Sequence, residues 1–384
     1  MGGRGILDHQ FSRRRFIAAS SLTAGVALAG LGLGPCDPAL IRRIQQNKNG
    51  VSPHHRAFVW QFVSDGSLNA IATQLQGKGI GVVLKTHDGL DWMSTYDHSP
   101  DAISGVDRLR NVARYFEDRG IPFHAWCVVK GADPEREAQM AADVLAAGAR
   151  SLTLDLEGYS GFWIGSADDA IRFGNELRRL SPFGRVDISI DARPWRLHDV
   201  PVREFVAFSD GIWPQLYWDT FATPDNVDGF NAAGYPVPAA GITPEFLLDA
   251  TQKLLAPFER EVLPVGQGAA SEPGTWPRFA HRAWELGMTQ LVDWRLGVTA
   301  DETIRYLAEN PPGVEPKAPP PTPTATVNSR TQTATPTKTK TATRTPSPTR
   351  TPATTATPTN TSLPATATRT PTVLPATATP MPTP

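Results

Sequence analysis

The stretch SLTLDLEGYSGFW, residues 151–163, begins as a buried strand and ends in two carboxylates followed by glycine and aromatic residues. Side chains alternate along a strand, so Thr153, Asp155 and Glu157 share one face and the leucines between them share the other. The leucine face is suited to packing beneath helices, which leaves the carboxylates on the inner face. The pattern therefore indicates a fold in which the inner face of this strand lines a functional site.

Outward from this strand, the sequence alternates strand and helix eight times. The predicted strands are 57–63, 79–85, 122–129, 151–157, 186–191, 211–218, 261–266 and 289–294. The predicted helices are 68–76, 105–119, 134–147, 167–180, 202–208, 243–256, 276–286 and 300–309. This alternation predicts an α/β fold with a parallel sheet, and eight units in about 250 residues are typical of a (β/α)8 TIM barrel.

A doubly wound sheet is the alternative fold for such an alternation. It commonly carries a glycine-rich dinucleotide-binding turn after its first strand. The chain reads SDGSLNA at that point, and no such turn follows the other strands. We therefore expect a TIM barrel over residues 56–312.

The active site of a TIM barrel lies at the carboxyl ends of its strands. Six of the predicted strands end in polar or aromatic residues, which would converge on one mouth. We predict three catalytic residues there: Glu157, Asp155 and Tyr217. The predicted substrate-binding residues are Lys85, His87, Asp88, Asp191, Arg193, Gln215, Trp218, Asp219, Gln267, Asp293 and Trp294. We expect no metal and no cofactor, because the acidic residues and His87 do not have a metal-ligand spacing.

The carboxylates of Asp155 and Glu157 should interact, because two residues along a strand rise only about 6.6 Å. Burying such a pair is costly unless it has partners or a chemical role. One role is general acid catalysis, in which one carboxylate raises the proton affinity of the other. The alternatives are sugar binding without catalysis, and a buried network in which Arg193 or Lys85 neutralises the acids.

Several neighbouring residues allow both a functional and a structural interpretation. Tryptophans lie at or just beyond predicted strand ends, where they could stack on sugars or belong to the core: Trp60, Trp126, Trp163, Trp195, Trp218 and Trp294. The segment 85–89 could bind substrate hydroxyls or form a capping turn. Asp191 and Arg193 could orient Glu157 or form an ion pair at the rim.

The Asp155-x-Glu157 motif, Tyr217 and Trp294 resemble the chitinase-like glycoside hydrolases of family 18. The Asp-x-Glu motif is also similar to that of the lysozyme-like barrels of family 25. The resemblance covers residues 57–310. The resemblance implies that Glu157 is the acid/base and that Asp155 orients a substrate acetamido group, which attacks the anomeric carbon. It also implies that Tyr217 hydrogen-bonds the resulting oxazoline and that Trp294 forms the floor of the sugar pocket.

The sequence departs from these family patterns. Family 18 has further acids before the pair, where this chain has Arg150 and Thr153. Trp218 stands where that family usually has Asp or Asn, and Asp219 follows it. Gln267 stands on the seventh strand, where retaining enzymes with two glutamates carry the nucleophile.

Family 25 usually has an Asp on its first strand, whereas this chain reads Trp60-Gln61-Phe62 there, with Asp65 beyond it. Two functions therefore remain open for a divergent relative. One is a hydrolase of an N-acetylhexosamine-containing or related envelope polysaccharide, acting in carbohydrate or cell-wall metabolism. The other is a catalytically degenerate barrel that binds glycan at the cell envelope.

The amino terminus matches a twin-arginine export signal. Ser12-Arg13-Arg14-Arg15-Phe16-Ile17 is followed by an uncharged, mostly apolar run to residue 34. We predict a signal peptide over 1–36, export by the twin-arginine translocase, and a secreted or envelope-associated protein. An uncleaved anchor is one alternative. Lipidation of Cys36 is another, although Pro35 fits a lipoprotein signal badly.

The remaining segments are predicted to lie outside the core. Residues 313–384 are rich in Thr and Pro and predict a disordered tail, and residues 37–55, including His54 and His55, predict a linker. The whole chain has a formal net charge of −1 although both ends are basic, so the domain between them is acidic and is not suited to nucleic acid. Its 2 cysteines do not form a disulfide framework. We expect a monomer that binds a polysaccharide.

Overall fold

The computed structural model describes residues 53–269, 272 and 274–317. Its centre is a closed barrel of eight parallel strands, in which each strand pairs with the next and the last pairs with the first. The strands are β1 (His55–Val59), β2 (Ile80–Asp88), β3 (Phe123–Val128), β4 (Ser151–Leu156), β5 (Arg185–Asp191), β6 (Gly211–Leu216), β7 (Val265–Gln267) and β8 (Val292–Trp294). The predicted TIM barrel is confirmed.

Helices cover the outside of the barrel. They are α1 (Phe62–Asp65), α2 (Leu68–Leu75), α3 (Val106–Glu117), α4 (Pro134–Ala146), α5 (Ala167–Leu180), α6 (Val202–Phe208), α7 (Trp218–Phe221), α8 (Pro224–Ala232), α9 (Pro244–Leu255), α10 (Thr275–Glu285) and α11 (Asp301–Glu309). The eight predicted helices are present. The structure has three further helices, α1, α7 and α8. α8 lies in a segment predicted as a loop, whereas α1 includes the last two residues of the predicted strand 57–63 and α7 begins at the last residue of the predicted strand 211–218.

The predicted seventh strand is interrupted. Glu261–Val262 pairs with β6 as a separate two-residue strand, and β7 begins only at Val265. Pro264 lies between the two and has no N–H to donate to a neighbouring strand. A second two-residue strand, Asp91–Trp92, runs antiparallel to the end of β2.

The barrel begins earlier than the sequence predicts. His55 is the first residue of β1, and His54 and His55 are both buried instead of lying in a linker. His54 Nε2 lies 2.8 Å from Nε2 of His124, and His55 Nε2 lies 2.7 Å from the carbonyl oxygen of Asn310. Burial lowers the pKa of His55 to about 4, so the neutral imidazole fits the core. A pair of histidines carries no obvious apolar signal, so the sequence pattern places the start of the barrel too late.

The strand register stacks inward-facing side chains in layers, as is usual for this fold. One layer contains Phe58, Trp126, Ser189 and Val265, from alternate strands. The layer nearer the mouth contains Lys85, Asp155, Gln215 and Trp294, from the other four strands. The ring centroids of Trp126, Trp213 and Trp294 lie 5.6, 5.7 and 5.2 Å from that of Phe58. The rings of Phe58 and Trp126 therefore lie in the layer directly beneath the carboxylates, packed against Trp213 and Trp294.

The predicted export signal, Cys36, most of the predicted linker and nearly all of the predicted tail lie outside the described residues. Within the part of the chain that the structure describes, none of the helices is long and apolar enough to cross a membrane. Cys127 is a buried free thiol in β3.

Candidate active site

Gln215 connects the two carboxylates at the end of β4. Its side-chain nitrogen, Nε2, lies 2.8 Å from Glu157 Oε1 and 3.2 Å from Asp155 Oδ1. The same nitrogen lies 3.2 Å from Ser189 Oγ on β5. Asp155 is 7% exposed, whereas Glu157 is half-buried and reaches the mouth. The predicted inward orientation of the pair is therefore the one that the structure has.

Both carboxylates hold their protons more tightly than usual. The pKa of Asp155 is raised well above its ordinary value, first by burial and then by the charge of Glu157, although Lys85 and a hydrogen bond from Ser189 act the other way. The pKa of Glu157 is raised by burial, although its hydrogen bond from Gln215 opposes the shift. A pKa shifted in this direction favours the protonated carboxyl group, which is the form that a general acid needs.

Tyr217 and Trp294 form an aromatic wall beside the pair. Their ring centroids lie 6.4 Å apart, and that of Trp294 lies 5.6 Å from that of Trp126. The pKa of the Tyr217 hydroxyl is raised well above its usual range by burial and by the carboxylates of Asp155 and Glu157. The hydroxyl therefore remains a hydrogen-bond donor near both acids.

Two lysines and an aspartate form a second charged group at the mouth. Lys85 Nζ lies 3.2 Å from Asp88 Oδ2, and Lys130 Nζ lies 3.1 Å from Asp88 Oδ1. Lys85 is 5% exposed, and its ammonium lies 5.0 Å from the ring centroids of both Tyr96 and Trp126. This buried cation partly offsets the charge of the acids.

Asp191 and Arg193, which the sequence placed at the same mouth, form an ion pair next to Glu157. Arg193 Nε donates to Asp191 Oδ1 at 3.0 Å, and the backbone N–H of Arg193 donates to the same oxygen at 3.1 Å. Tyr159 donates its hydroxyl proton to Asp191 Oδ2 at 3.0 Å. The charges of Asp191 and Arg193 act in opposite directions on the pKa of Glu157.

Gln267 and Asp219 connect the loops after β7 and β6. Gln267 Oε1 accepts from the backbone N–H groups of Asp219 and Thr220 at 3.2 and 3.3 Å. Gln267 Nε2 donates to Asp219 Oδ2 at 3.2 Å. The amide on the seventh strand therefore holds the neighbouring loop at the rim.

Three residues predicted to line the mouth lie elsewhere. His87 is buried with Nδ1 2.8 Å from Thr86 Oγ1 and its ring against Trp92. Trp218 begins α7 and packs 5.2 Å from Phe279 in the outer shell. Asp293 is fully buried, and Thr299 donates to it at 2.8 and 2.9 Å. Burial raises the pKa of Asp293 to about 7.

The tryptophans divide between the mouth and the core. Trp60 is 37% exposed at the rim, with the guanidinium of Arg295 4.9 Å from its ring centroid. Trp126 and Trp294 belong to the interior beneath and beside the carboxylates. Trp163 and Trp195 pack in the outer shell against Phe205 and Phe230, respectively.

Sequence reasoning missed four residues that organise the site: Ser189, Tyr159, Lys130 and Glu137. Ser189 could have been found, because it alternates with Ile188 and Ile190 and so faces inward with Asp191. Tyr159 and Lys130 make contacts between loops that are distant in sequence. No local sequence pattern indicates such contacts. Glu137 is 2% exposed on α4 and accepts hydrogen bonds from the loop after β3.

Among the described residues, no group of three or more His, Cys, Asp or Glu side chains is arranged to hold a metal ion. The chemistry that the site can support with its own residues is proton transfer by Glu157 or Asp155. Hydrogen bonds from Tyr217 and Gln215, with Trp294 as an apolar surface, could orient a bound molecule.

The solved structures that match this chain do so at low sequence identity. One match is active domain 2 of a thermostable chitinase from Pyrococcus furiosus, solved as catalytic-site mutants in complex with chito-oligosaccharides. It is 13% identical to this chain, with a TM-score of 0.46, and the match covers 68% of this chain and 97% of the chitinase chain. A family 18 N-acetylglucosaminidase from Paenibacillus barengoltzii is 9% identical with a TM-score of 0.45, over 67% and 100%. An aldolase is 11% identical with a TM-score of 0.37, over 65% and 92%. At these values the matches assign no activity to this chain.

No protein-family model matches the sequence, and no curated protein matches it either.

Proposed function

We propose that this protein is a glycoside hydrolase that cleaves an N-acetylhexosamine-containing or related envelope polysaccharide, with Glu157 as the general acid/base. The observation that carries the proposal is the hydrogen-bonded group of Glu157, Asp155 and Gln215 at the barrel mouth. Burial raises the pKa of Glu157 while leaving the residue accessible at the mouth, which suits a group that must deliver a proton to a substrate.

The mechanism follows from the resemblance to family 18. The Glu157 carboxyl group gives its proton to the glycosidic oxygen as the bond from that oxygen to the anomeric carbon breaks. The acetamido oxygen of the substrate attacks the anomeric carbon to form an oxazoline, while Asp155 accepts a hydrogen bond from the acetamido N–H. Glu157, now a carboxylate, takes a proton from water as that water opens the ring. Tyr217 hydrogen-bonds the oxazoline, and Trp294 supports the sugar.

The proposal includes the location and the domain organisation of the protein. The SRRRFI sequence supports export by the twin-arginine translocase and a secreted or envelope-associated location. The barrel would then stand between a cleaved signal and the Thr/Pro-rich segment 313–384, which supports an extended tail. These features are consistent with a polysaccharide outside the cell as the substrate.

Glycan binding without cleavage is the second candidate. Thr153, which lies beneath Asp155 in β4, stands where family 18 has a further acid. Asp155 therefore lacks a neighbouring carboxyl group beneath it in β4, and Lys85 is the nearby charge that favours its ionised form. A barrel of this kind could keep the sugar site and lose the reaction.

The experiment that separates the two candidates is reducing-end release by the purified full-length chain. The substrates are chitin oligomers, peptidoglycan, and a panel of acidic and neutral glycans. Glu157→Gln should lower release at least about a hundredfold, as expected for loss of a general acid. The matched control is Glu176→Gln on α5, where the half-buried carboxylate pairs with Arg179 on the outside of the barrel, and this change should leave release unchanged. Absence of release from every glycan, with equal binding by the wild type and Glu157→Gln, would instead support the binding protein.

A further inference from the structure

The loop after β4, residues 157–165, begins with the proposed acid. Gly158, Ser160, Gly161 and Ile164 are exposed, so much of this loop runs over the surface. An exposed loop with several glycines has little packing of its own to fix its conformation. Apart from the hydrogen bond that Gln215 donates to its carboxylate, the position of Glu157 therefore depends on what holds the loop from outside.

The base of the loop is held by backbone hydrogen bonds. The N–H of Trp163 donates to the carbonyl of Glu157 at 3.1 Å, which closes the loop on itself. The N–H of Ile164 donates to the carbonyl of Lys130 at 2.8 Å, which joins it to the loop after β3. A third bond, from the N–H of Phe162 to the carbonyl of Tyr159 at 3.1 Å, lies within the tip, and none of the three joins the tip to another loop.

Tyr159 attaches the tip to the loop after β5. Its hydroxyl donates to Asp191 Oδ2 at 3.0 Å and accepts from Arg193 Nη2 at 2.6 Å. The guanidinium of Arg196 lies 4.9 Å from the centroid of its ring. The loops also press together, because a side chain at Gly158 would come within 2.4 Å of Cβ of Asp199.

Arg193 extends this attachment to a third loop. Its Nη1 donates to Asn226 Oδ1 on α8 at 3.1 Å, and its guanidinium lies 4.6 Å from the ring centroid of Phe221 on α7. One side chain thus contacts elements that follow β4, β5 and β6. Such a planar group with several donors is suited to fixing the relative positions of three segments.

We propose that Arg193, acting through Tyr159, is a positioning residue that fixes the Glu157 loop in its reactive conformation. This inference rests on the proposed function, because a reactive conformation is meaningful only for an enzyme. The Arg193–Tyr159–Asp191 group does not itself exchange a proton with the substrate. Its role is to limit the positions from which Glu157 can deliver one.

The kinetic test compares Arg193→Met and Tyr159→Phe with the wild type in the reducing-end assay. Displacement of a catalytic group by about 1 Å can cost about a hundredfold in rate, so we expect kcat to fall about a hundredfold in Arg193→Met and about tenfold in Tyr159→Phe. KM should change by less than about twofold, because the sugar contacts remain. The matched control is Arg150→Met, which removes a bidentate Arg–Glu117 pair at the opposite end of the barrel and should leave kcat unchanged.

The pH profile distinguishes positioning from charge. Arg193 favours the ionised form of Glu157, so Arg193→Met should move the basic limb of kcat/KM to higher pH. Tyr159→Phe leaves that cation in place and should lower kcat without moving the limb. A fall in kcat for Arg193→Met together with wild-type kcat for Tyr159→Phe would overturn the role given to Tyr159.

Amide hydrogen exchange gives a readout that does not need activity. Exchange across residues 157–164 should accelerate in both variants while exchange in β1 and β5 stays slow, which would show that the barrel remains folded. If the wild type releases no sugar from any glycan, the proposed function fails, yet this measurement still tests the attachment of the loop. Wild-type exchange of the loop in both variants would refute the inference.

Discussion

Glu137 should contribute more to stability than its place on an outer helix suggests. Its carboxylate accepts hydrogen bonds from four successive backbone N–H groups. Oε2 accepts from Lys130 at 2.8 Å and Gly131 at 3.1 Å, and Oε1 accepts from Ala132 at 3.0 Å and Asp133 at 3.4 Å. Glu137→Gln keeps the shape of the side chain, but its amide nitrogen cannot accept and would face N–H groups.

The expected loss can be estimated from these contacts. If the amide nitrogen takes the Oε1 position, the variant loses one full hydrogen bond and one long one, each made to a charged acceptor. Bonds of that kind contribute about 1.5–3 kcal/mol, so the free energy of unfolding should fall by about 2–4 kcal/mol. For a domain of this size, the melting temperature should fall by about 5–15 °C.

The assay is urea unfolding followed by tryptophan fluorescence, with thermal melting as a second measure. The control is Glu135→Gln in the same helix, where the carboxylate is largely exposed and pairs with Arg172 at 2.9 Å. Such a surface pair contributes little to stability, because solvent screens it. If Glu137→Gln changes the free energy of unfolding no more than Glu135→Gln does, the carboxylate does not organise the loop as described.

Three further predictions concern the mouth. Burial raises the pKa of Asp155 in the folded protein, whereas the unfolded chain releases this proton above pH ~4. The free energy of unfolding should therefore fall as the pH rises from about 4 through the raised pKa of the folded state. Asp155→Asn should therefore melt higher than the wild type at pH 8 and lose this advantage at pH 4; an equal difference at both values would contradict the assignment. Gln215→Leu removes the donor that favours ionised Glu157, so the basic limb of kcat/KM for sugar release should move to higher pH, and an unmoved limb would show that this donor is unimportant. Gly131→Ala should lower stability by about 1–3 kcal/mol in urea titration, because φ is +70° and the added Cβ would lie 2.8 Å from the ring of Trp163; wild-type stability would refute this clash.

The alternation of strands and helices predicts the barrel, because the hydrophobic period and the length of each element can be read from the local sequence. The alternation of leucines with Thr153, Asp155 and Glu157 is sufficient to place the acids on the inner face of β4. The same rule fails for His87. The register with β3 shifts between Lys85 and His87, so His87 pairs with the outward-facing Cys127. A bulge changes which face a side chain takes, and nothing in the sequence of β2 marks it.

The partners of the acids could not be predicted in the same way. Gln215 is on β6 and Tyr159 is in a loop, and their contacts with Glu157 and Asp191 depend on the closure of the barrel. Trp218 shows the limit of strand prediction from composition. The aromatic run WPQLYW is compatible with a continuous strand, but β6 ends at Leu216 and Trp218 turns into α7 against the outer shell.

The proton affinity of the acids depends on the layers of the barrel more than on the Asp-x-Glu motif itself. Asp155 shares its layer with Lys85, Gln215 and Trp294, and the layer beneath it is closed by the rings of Phe58 and Trp126. That floor contributes to the burial of the carboxylate, and burial is the largest cause of its raised pKa. Replacing a ring of the floor with a small polar side chain would admit water and lower that pKa without touching either acid. A match to the motif alone is therefore insufficient to predict an active acid, because the raised pKa also depends on burial by the layer beneath.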